Sequence, residues 1–474
     1  MSYLPTTLIL FLFTYKSSSA IESSLSTNWD FQQLKEADIE GLITDVRYKN
    51  IIDKYQIETG HRGYPDVKDI KLLRVVKDRV KQNLSQQNFH TNVSQGTEFP
   101  VRFLDDAEDE RTHKLHIITK GPESGAVCFD GTPPGFYFRS GNGSGKSKWI
   151  IYFQGGGWCY RIERCYRRSV TALGSSKFFR KTILLEGLLS NQAKYNPDFY
   201  NWNSVFVAYC DGGSFTGNRD KPLKFKDRLL YFRGHRILDV LLDELLRKGL
   251  DSASDIIVGG RSAGALTAII HADYIGSRLR RATNASFRVL SDAGFVLDER
   301  ALNGSAMAQS MFQQLYSLHN ASKSLNRACL RAQESDQKWR CFFPQYSIPF
   351  VTSTMFLVSP LYDLWQLFYF SRMPCVFNVK SCNSTEIRFV REFRNMTLRA
   401  LKNVLASKTT SLFANACLSH TQCVMNDYWT QIAIKNITLK QAFFNWYRGS
   451  DQNKFLIDPS PYLGNPTCPK NYHW

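Results

Sequence analysis

A chain of 474 residues with 43% hydrophobic and 22% charged residues has the balance of a folded globular protein, which excludes disordered and fibrous classes. Its net charge of +18 raises nucleic acid as a partner, but no binding motif accompanies the charge, so none is expected. An acidic glycan or anionic surface suits the charge better, and generic solubility explains it equally well.

The N-terminus carries a short apolar run, Leu8 to Phe13, followed by Ser18-Ser19-Ala20. Small residues after such a run mark a signal peptide over 1–20, cleaved after Ala20, although no Lys or Arg precedes Lys16. The run is too short to span a bilayer, and no later stretch reaches the ~20 apolar residues required, so no transmembrane segment is expected. Residues 21–118 form a polar extension, partly helical or disordered: Leu72, Val75, Val76 and Val80 fall at helical spacing, and an acidic patch occupies 105–110.

Eleven cysteines and nine N-glycosylation sequons (Asn83, Asn92, Asn142, Asn284, Asn303, Asn320, Asn383, Asn395, Asn436) point to a secreted, extracellular protein. Cys159/Cys165, Cys329/Cys341, Cys375/Cys382 and Cys417/Cys423 are near enough in sequence to staple loops, and the odd total leaves a thiol over. None has the two-residue spacing of a zinc site, so no metal is expected.

From Gly121 onward strands alternate with helices. Strands are predicted over 149–153, 205–209, 287–290 and 355–358, and an amphipathic helix over 237–246, where Leu238, Leu241, Leu242 and Leu245 share one face. This is an α/β pattern: a mostly parallel sheet with helices on both faces, within a catalytic domain spanning 119–474. At its centre the apolar run Ile256-Ile257-Val258 breaks into Gly260-Arg261-Ser262-Ala263-Gly264, followed by a helical pattern. A serine lifted on such a strand-to-helix turn is a nucleophile elbow, which makes the fold α/β-hydrolase-like.

A serine hydroxyl needs a base and the base an orienting carboxylate, in the chain order Ser, Asp, His. Asp292 and Asp363 both follow strands after Ser262, and Asp363 sits one strand later, the usual place of the acid. Downstream of Asp363 lie only His420 and His473, and His473 is in the last two residues. Ser262, Asp363 and His420 are therefore the expected triad, with His271 packed inside the post-elbow helix. Gly156 and Gly157, in the glycine turn after strand 149–153, and Ala263, next to the serine, are the expected oxyanion donors. Trp158 and Asp292, at two other strand ends, are expected to bind substrate.

Several blocks resemble pectin acetylesterases: 125–134, Gly155-Gly156-Gly157-Trp158-Cys159, 173–177, 196–203, 209–217, Leu290-Ser291-Asp292-Ala293-Gly294, 341–345, Tyr362-Asp363-Leu364-Trp365-Gln366 and Asn465-Pro466-Thr467-Cys468. The resemblance runs from Gly121 to the C-terminus and is closer to the plant-type enzymes than to the Notum carboxylesterases of the same superfamily. It implies a secreted serine carboxylesterase without cofactors, whose triad falls on Ser262, Asp363 and His420. Three departures stand out: Arg261 where plant-type enzymes have cysteine, Gln154 where the family has glutamate, and Cys423 where a cysteine is expected directly after the histidine. The expected activity is removal of O-acetyl groups from a polysaccharide. A Notum-like removal of a fatty acyl group from a secreted protein is the alternative, with Phe342, Phe343, Phe368 and Phe370 as pocket or core residues. A third reading is a non-catalytic binder of acidic glycans.

Overall fold

The computed structural model describes residues 111–450 and 452–470. The expected signal peptide, nearly all of the polar extension with its helix near Leu72 and its acidic patch, Asn83, Asn92 and His473 lie outside the described residues.

Ten strands form one sheet: β1 (Thr112–Ile117), β2 (Gly135–Arg139), β3 (Lys148–Phe153), β4 (Thr182–Leu184), β5 (Asn203–Val207), β6 (Asp255–Arg261), β7 (Ser286–Asp292), β8 (Met355–Val358), β9 (Thr410–Ala414) and β10 (Phe455–Ile457). Their order across the sheet is β10-β9-β8-β7-β6-β3-β5-β2-β1-β4. Every pairing from β10 to β5 is parallel, and β2, β1 and β4 close the far edge with antiparallel pairings. Four helices recur below: α1 (Gly234–Arg247), α2 (Ala263–Ile270), α3 (Leu364–Tyr369) and α4 (Leu439–Tyr447).

The strands in the middle of the sheet are buried along their length, which is why they read as unbroken apolar runs rather than alternating ones. Alternate residues of β3 serve opposite cores. Trp149, Ile151 and Phe153 pack with Leu238, Leu241, Leu242 and Leu245 of α1. Ile150 and Tyr152 belong to a second core with Phe443 and Trp446 of α4. Helices thus cover both faces, as the sequence pattern predicts, and each fully buried leucine of α1 contributes about 1.5–3 kcal/mol.

Two expectations change. The sheet takes in β1, upstream of the expected domain boundary at 119. Its sequence, Thr-His-Lys-Leu-His-Ile, reads as polar, but His113 is buried and hydrogen-bonded to Ser204 Oγ at 2.8 Å. The cysteines also pair differently at one place. Cys159–Cys165, Cys329–Cys341 and Cys375–Cys382 form as the spacing suggests, but Cys417 joins Cys468, Cys128 joins Cys210, and Cys423 is the free thiol. Proximity in sequence cannot see that the C-terminal segment folds back against the loop after β9.

Candidate active site

Parallel strands deliver their carboxyl ends to one edge, where ligands of such sheets bind. The loop after β3 begins at Gln154, β6 ends at Arg261, β7 ends at Asp292, and the loops after β8 and β9 carry Asp363 and His420.

Ser262 lies between β6 and α2 at φ 55, ψ −123, a strained conformation for a residue with a side chain. Both flanking glycines are compelled by space. A Cβ on Gly260 would stand 2.2 Å from the Gly264 carbonyl oxygen, and one on Gly264 would stand 2.2 Å from that of Phe153. A side chain at Gly260 would push β6 and α2 apart, and one at Gly264 would push α2 off the end of β3.

Acid and base are brought together by a two-residue parallel pairing, Tyr362–Asp363 with Leu418–Ser419. His420 Nε2 lies 2.8 Å from Ser262 Oγ, and His420 Nδ1 lies 2.9 Å from Asp363 Oδ2. A carboxylate at Nδ1 keeps the ring proton there, leaving Nε2 to accept from the serine hydroxyl. Asp363 Oδ1 accepts from Gln366 N at 2.9 Å and so caps α3. The ring of Trp365, one residue before Gln366 on α3, stacks on His420 with centroids 5.7 Å apart. The exposures of Asp363, His420 and Ser262 rise in the order 2%, 6%, 9%, so the chain of three runs from the core to the opening.

Above the elbow, the glycine loop comes so close that a Cβ on Gly155 would be 3.0 Å from Ser262 Cβ. Gly157 borders open space, with nothing within 4 Å of its Cβ position, whereas that of Gly156 lies against Leu173. Ala263 N–H, at the first turn of α2, has no intrahelical acceptor and sits at the positive end of the helix dipole. Of the three expected donors, Ala263 directly follows the serine, Gly156 is exposed and Gly157 is half-buried. Trp158 is nearly buried, donates to Ser214 Oγ at 2.7 Å and meets Trp365 edge-on at 5.6 Å, so it forms part of the aromatic wall behind His420.

Asp292 differs from its expected substrate-binding place. It is fully buried, and its carboxylate accepts from Gln422 N, from Cys423 N at 2.8 Å and from the Tyr152 hydroxyl at 3.2 Å. It tethers the loop that carries His420. Arg261 pairs with Asp292 across β6 and β7 and is within electrostatic reach of it and of Tyr152. The cation beside the nucleophile thus has a buried carboxylate as its counterpart. His271 is buried as expected, with Nε2 3.2 Å from Ser214 O, and burial pushes its pKa down to about 3. Trp365 and the tethering role of Asp292 escaped the sequence reading. The nearness of Trp365 to Asp363 in the chain could have signalled the first, and no sequence pattern signals the second.

Burial raises the Asp292 pKa to about 6, outweighing the backbone N–H groups that favour its charge. A carboxyl raised on folding stabilises the fold fully below its unfolded pKa near 4 and loses that stabilisation as pH rises through 6. The shift is of the order of 3 kcal/mol. Asp292→Asn removes this component, so the variant should gain stability relative to the parent between pH 4 and 7, while its kcat falls about tenfold. Urea midpoints at the two pH values check this, and a gap that stays constant would place the titration elsewhere.

A parallel α/β sheet with a serine elbow at the end of a central strand defines the α/β-hydrolase type, and the relatives of this chain are carboxylic ester hydrolases. Residues 106–469 match the pectinacetylesterase family model, and the chain belongs to that family. It is 36% identical over 360 residues to pectin acetylesterase 7 of Arabidopsis thaliana, covering 73% of this chain and 90% of that protein. It is 30% identical over 383 residues to palmitoleoyl-protein carboxylesterase notum1a of Danio rerio, covering 75% and 72%. In structure it matches the Wnt deacylase Notum from Drosophila with a TM-score of 0.67 at 24% identity, covering 76% of this chain and all of that one. The fold is thus shared with Notum.

Proposed function

We propose that the protein is a secreted serine esterase that removes O-acetyl groups from a polysaccharide. The observation that carries the proposal is the hydrogen-bonded series Ser262–His420–Asp363 beneath the glycine loop. In this reaction Ser262 Oγ attacks the acetyl carbonyl while His420 Nε2 takes its proton. Backbone N–H groups of the glycine loop and Ala263 stabilise the oxyanion. The tetrahedral adduct collapses, His420 protonates the leaving sugar oxygen, and an acetyl-serine remains. Water, deprotonated by His420, then releases acetate. No step requires a metal or an organic cofactor.

Acetyl rather than fatty acyl transfer is favoured by the 34–36% identity to Arabidopsis pectin acetylesterases against 27–30% for the Notum proteins. The core also weakens the lipid reading. Phe342 and Phe343 are fully buried and pack on Phe312, the first stacked at 5.2 Å and the second edge-on at 4.8 Å. Three of the four aromatics expected as pocket or core residues, Phe342, Phe343 and Phe370, are buried in one core. Secretion is supported by the five disulfides and by the exposed side chains of all seven sequon asparagines among the described residues.

The test is to express the full chain in eukaryotic cells, collect it from the medium and compare nitrophenyl acetate with nitrophenyl octanoate. Recovery from the medium and at least about tenfold higher kcat/KM for acetate are expected. Faster octanoate turnover would move the assignment to fatty acyl esters, and retention inside the cell would remove the extracellular assignment. A folded protein that cleaves neither ester but binds acidic glycans would be a non-catalytic binder.

A further inference from the structure

Stabilising an oxyanion requires donors that are already aimed before the reaction begins. The glycine loop after β3 cannot aim itself. Gly156 and Gly157, at φ 145 and φ 61, have no side chains to lock their peptide planes, and glycine is the most freely rotating residue.

Two side chains from outside the loop grip it. Arg168 Nη1 donates to the Gly156 carbonyl at 2.7 Å, and the Tyr209 hydroxyl donates to the Gly157 carbonyl at 3.0 Å. Each grip is itself fixed. Arg168 Nε donates to Leu173 O at 2.9 Å, and its guanidinium lies over the Tyr209 ring, 5.0 Å from the centroid. The Tyr209 oxygen accepts from Ser214 N at 3.0 Å, so its own proton is directed to Gly157. The phenol is fully buried, and burial pushes its pKa up, so it remains a donor across the working range of an esterase.

In a trans peptide the carbonyl and the following N–H point in opposite directions. Drawing the Gly156 carbonyl to Arg168 turns the Gly157 N–H away from the guanidinium. Drawing the Gly157 carbonyl to Tyr209 turns the Trp158 N–H away from the phenol. Among the described residues neither N–H has an acceptor, and Gly157 borders open space. We infer that Arg168 and Tyr209 are positioning residues that set these two peptide planes, so that the N–H groups of Gly157 and Trp158 face the developing oxyanion. The cation of Arg168 also polarises the Gly156–Gly157 peptide and strengthens its N–H as a donor. This inference rests on the serine esterase reading.

The test uses the full chain with Tyr209→Phe, which removes one oxygen, and Arg168→Lys, which keeps the charge but loses the planar fork. With nitrophenyl acetate, kcat is expected to fall about tenfold for Tyr209→Phe and about ten- to a hundredfold for Arg168→Lys, with KM within about twofold of the parent. Inhibition by a short alkyl trifluoromethyl ketone, which forms a tetrahedral adduct with the serine, should weaken by the factor lost in kcat/KM. A structural defect alone would not track that inhibitor, and thermal midpoints report whether each variant is folded. If the parent is active and Ser262→Ala is not, but both variants keep kcat within twofold, the positioning role is overturned. It is equally overturned if KM rises and kcat does not fall. Activity that survives in Ser262→Ala would instead overturn the esterase reading itself.

Discussion

Ser262→Ala should abolish hydrolysis of nitrophenyl acetate, with kcat falling by about a millionfold, the scale seen when a triad nucleophile is removed. The reason lies in the elbow. Among the described residues only Ser262 presents a hydroxyl to His420 Nε2, at 2.8 Å, and its backbone is held at φ 55 by β6 on one side and α2 on the other. Alanine fits the same backbone, because the clashes that exclude side chains concern Gly260 and Gly264 rather than position 262. The variant should therefore fold and still bind substrate. What it loses is the covalent route, leaving whatever the loop donors achieve by polarising the ester toward water. Steady-state turnover together with a burst assay for the acetyl-serine checks this. A variant that keeps more than about a thousandth of the parental rate would mean that another group carries out the attack.

What was legible in the chain follows a physical divide. Buried parallel strands are apolar on both faces, so β3 and β8 could be read almost to the residue, and the run before Ser262 could be read for the same reason. The glycine pattern of the elbow reports a steric demand between adjacent elements, which is why five residues suffice to place it. Chain order then selected the two partners that the structure brings within hydrogen-bonding distance of one another. Features that depend on distant segments were not legible. The Cys417–Cys468 bond joins cysteines 51 residues apart, and the free thiol of Cys423 is buried next to Asp292. Asp292 looked like a pocket residue because it ends a strand at the site edge. Its partners are backbone N–H groups of a loop 130 residues later, and no sequence pattern marks such an acceptor. Arg261 is likewise intelligible only through the cross-strand register that sets it against Asp292.

Asp363→Asn should lower kcat by about ten-thousandfold with little change in KM, and it isolates charge and tautomer from architecture. Asp363 has two duties: Oδ1 accepts from Gln366 N and starts α3, while Oδ2 accepts from His420 Nδ1. Asparagine is as good an N-cap as aspartate, so its amide oxygen keeps the first bond, and α3 retains Trp365 over the imidazole. Its NH2 then takes the place of Oδ2 and donates to Nδ1. That moves the ring proton to Nε2, which can no longer accept from Ser262 Oγ. Alanine would confound the measurement by also costing about 1 kcal/mol of helix capping. The diagnostic result is a thermal midpoint within a few degrees of the parent alongside the loss of turnover. An asparagine variant with more than about a tenth of the parental kcat would show that Asp363 serves the helix and not the histidine.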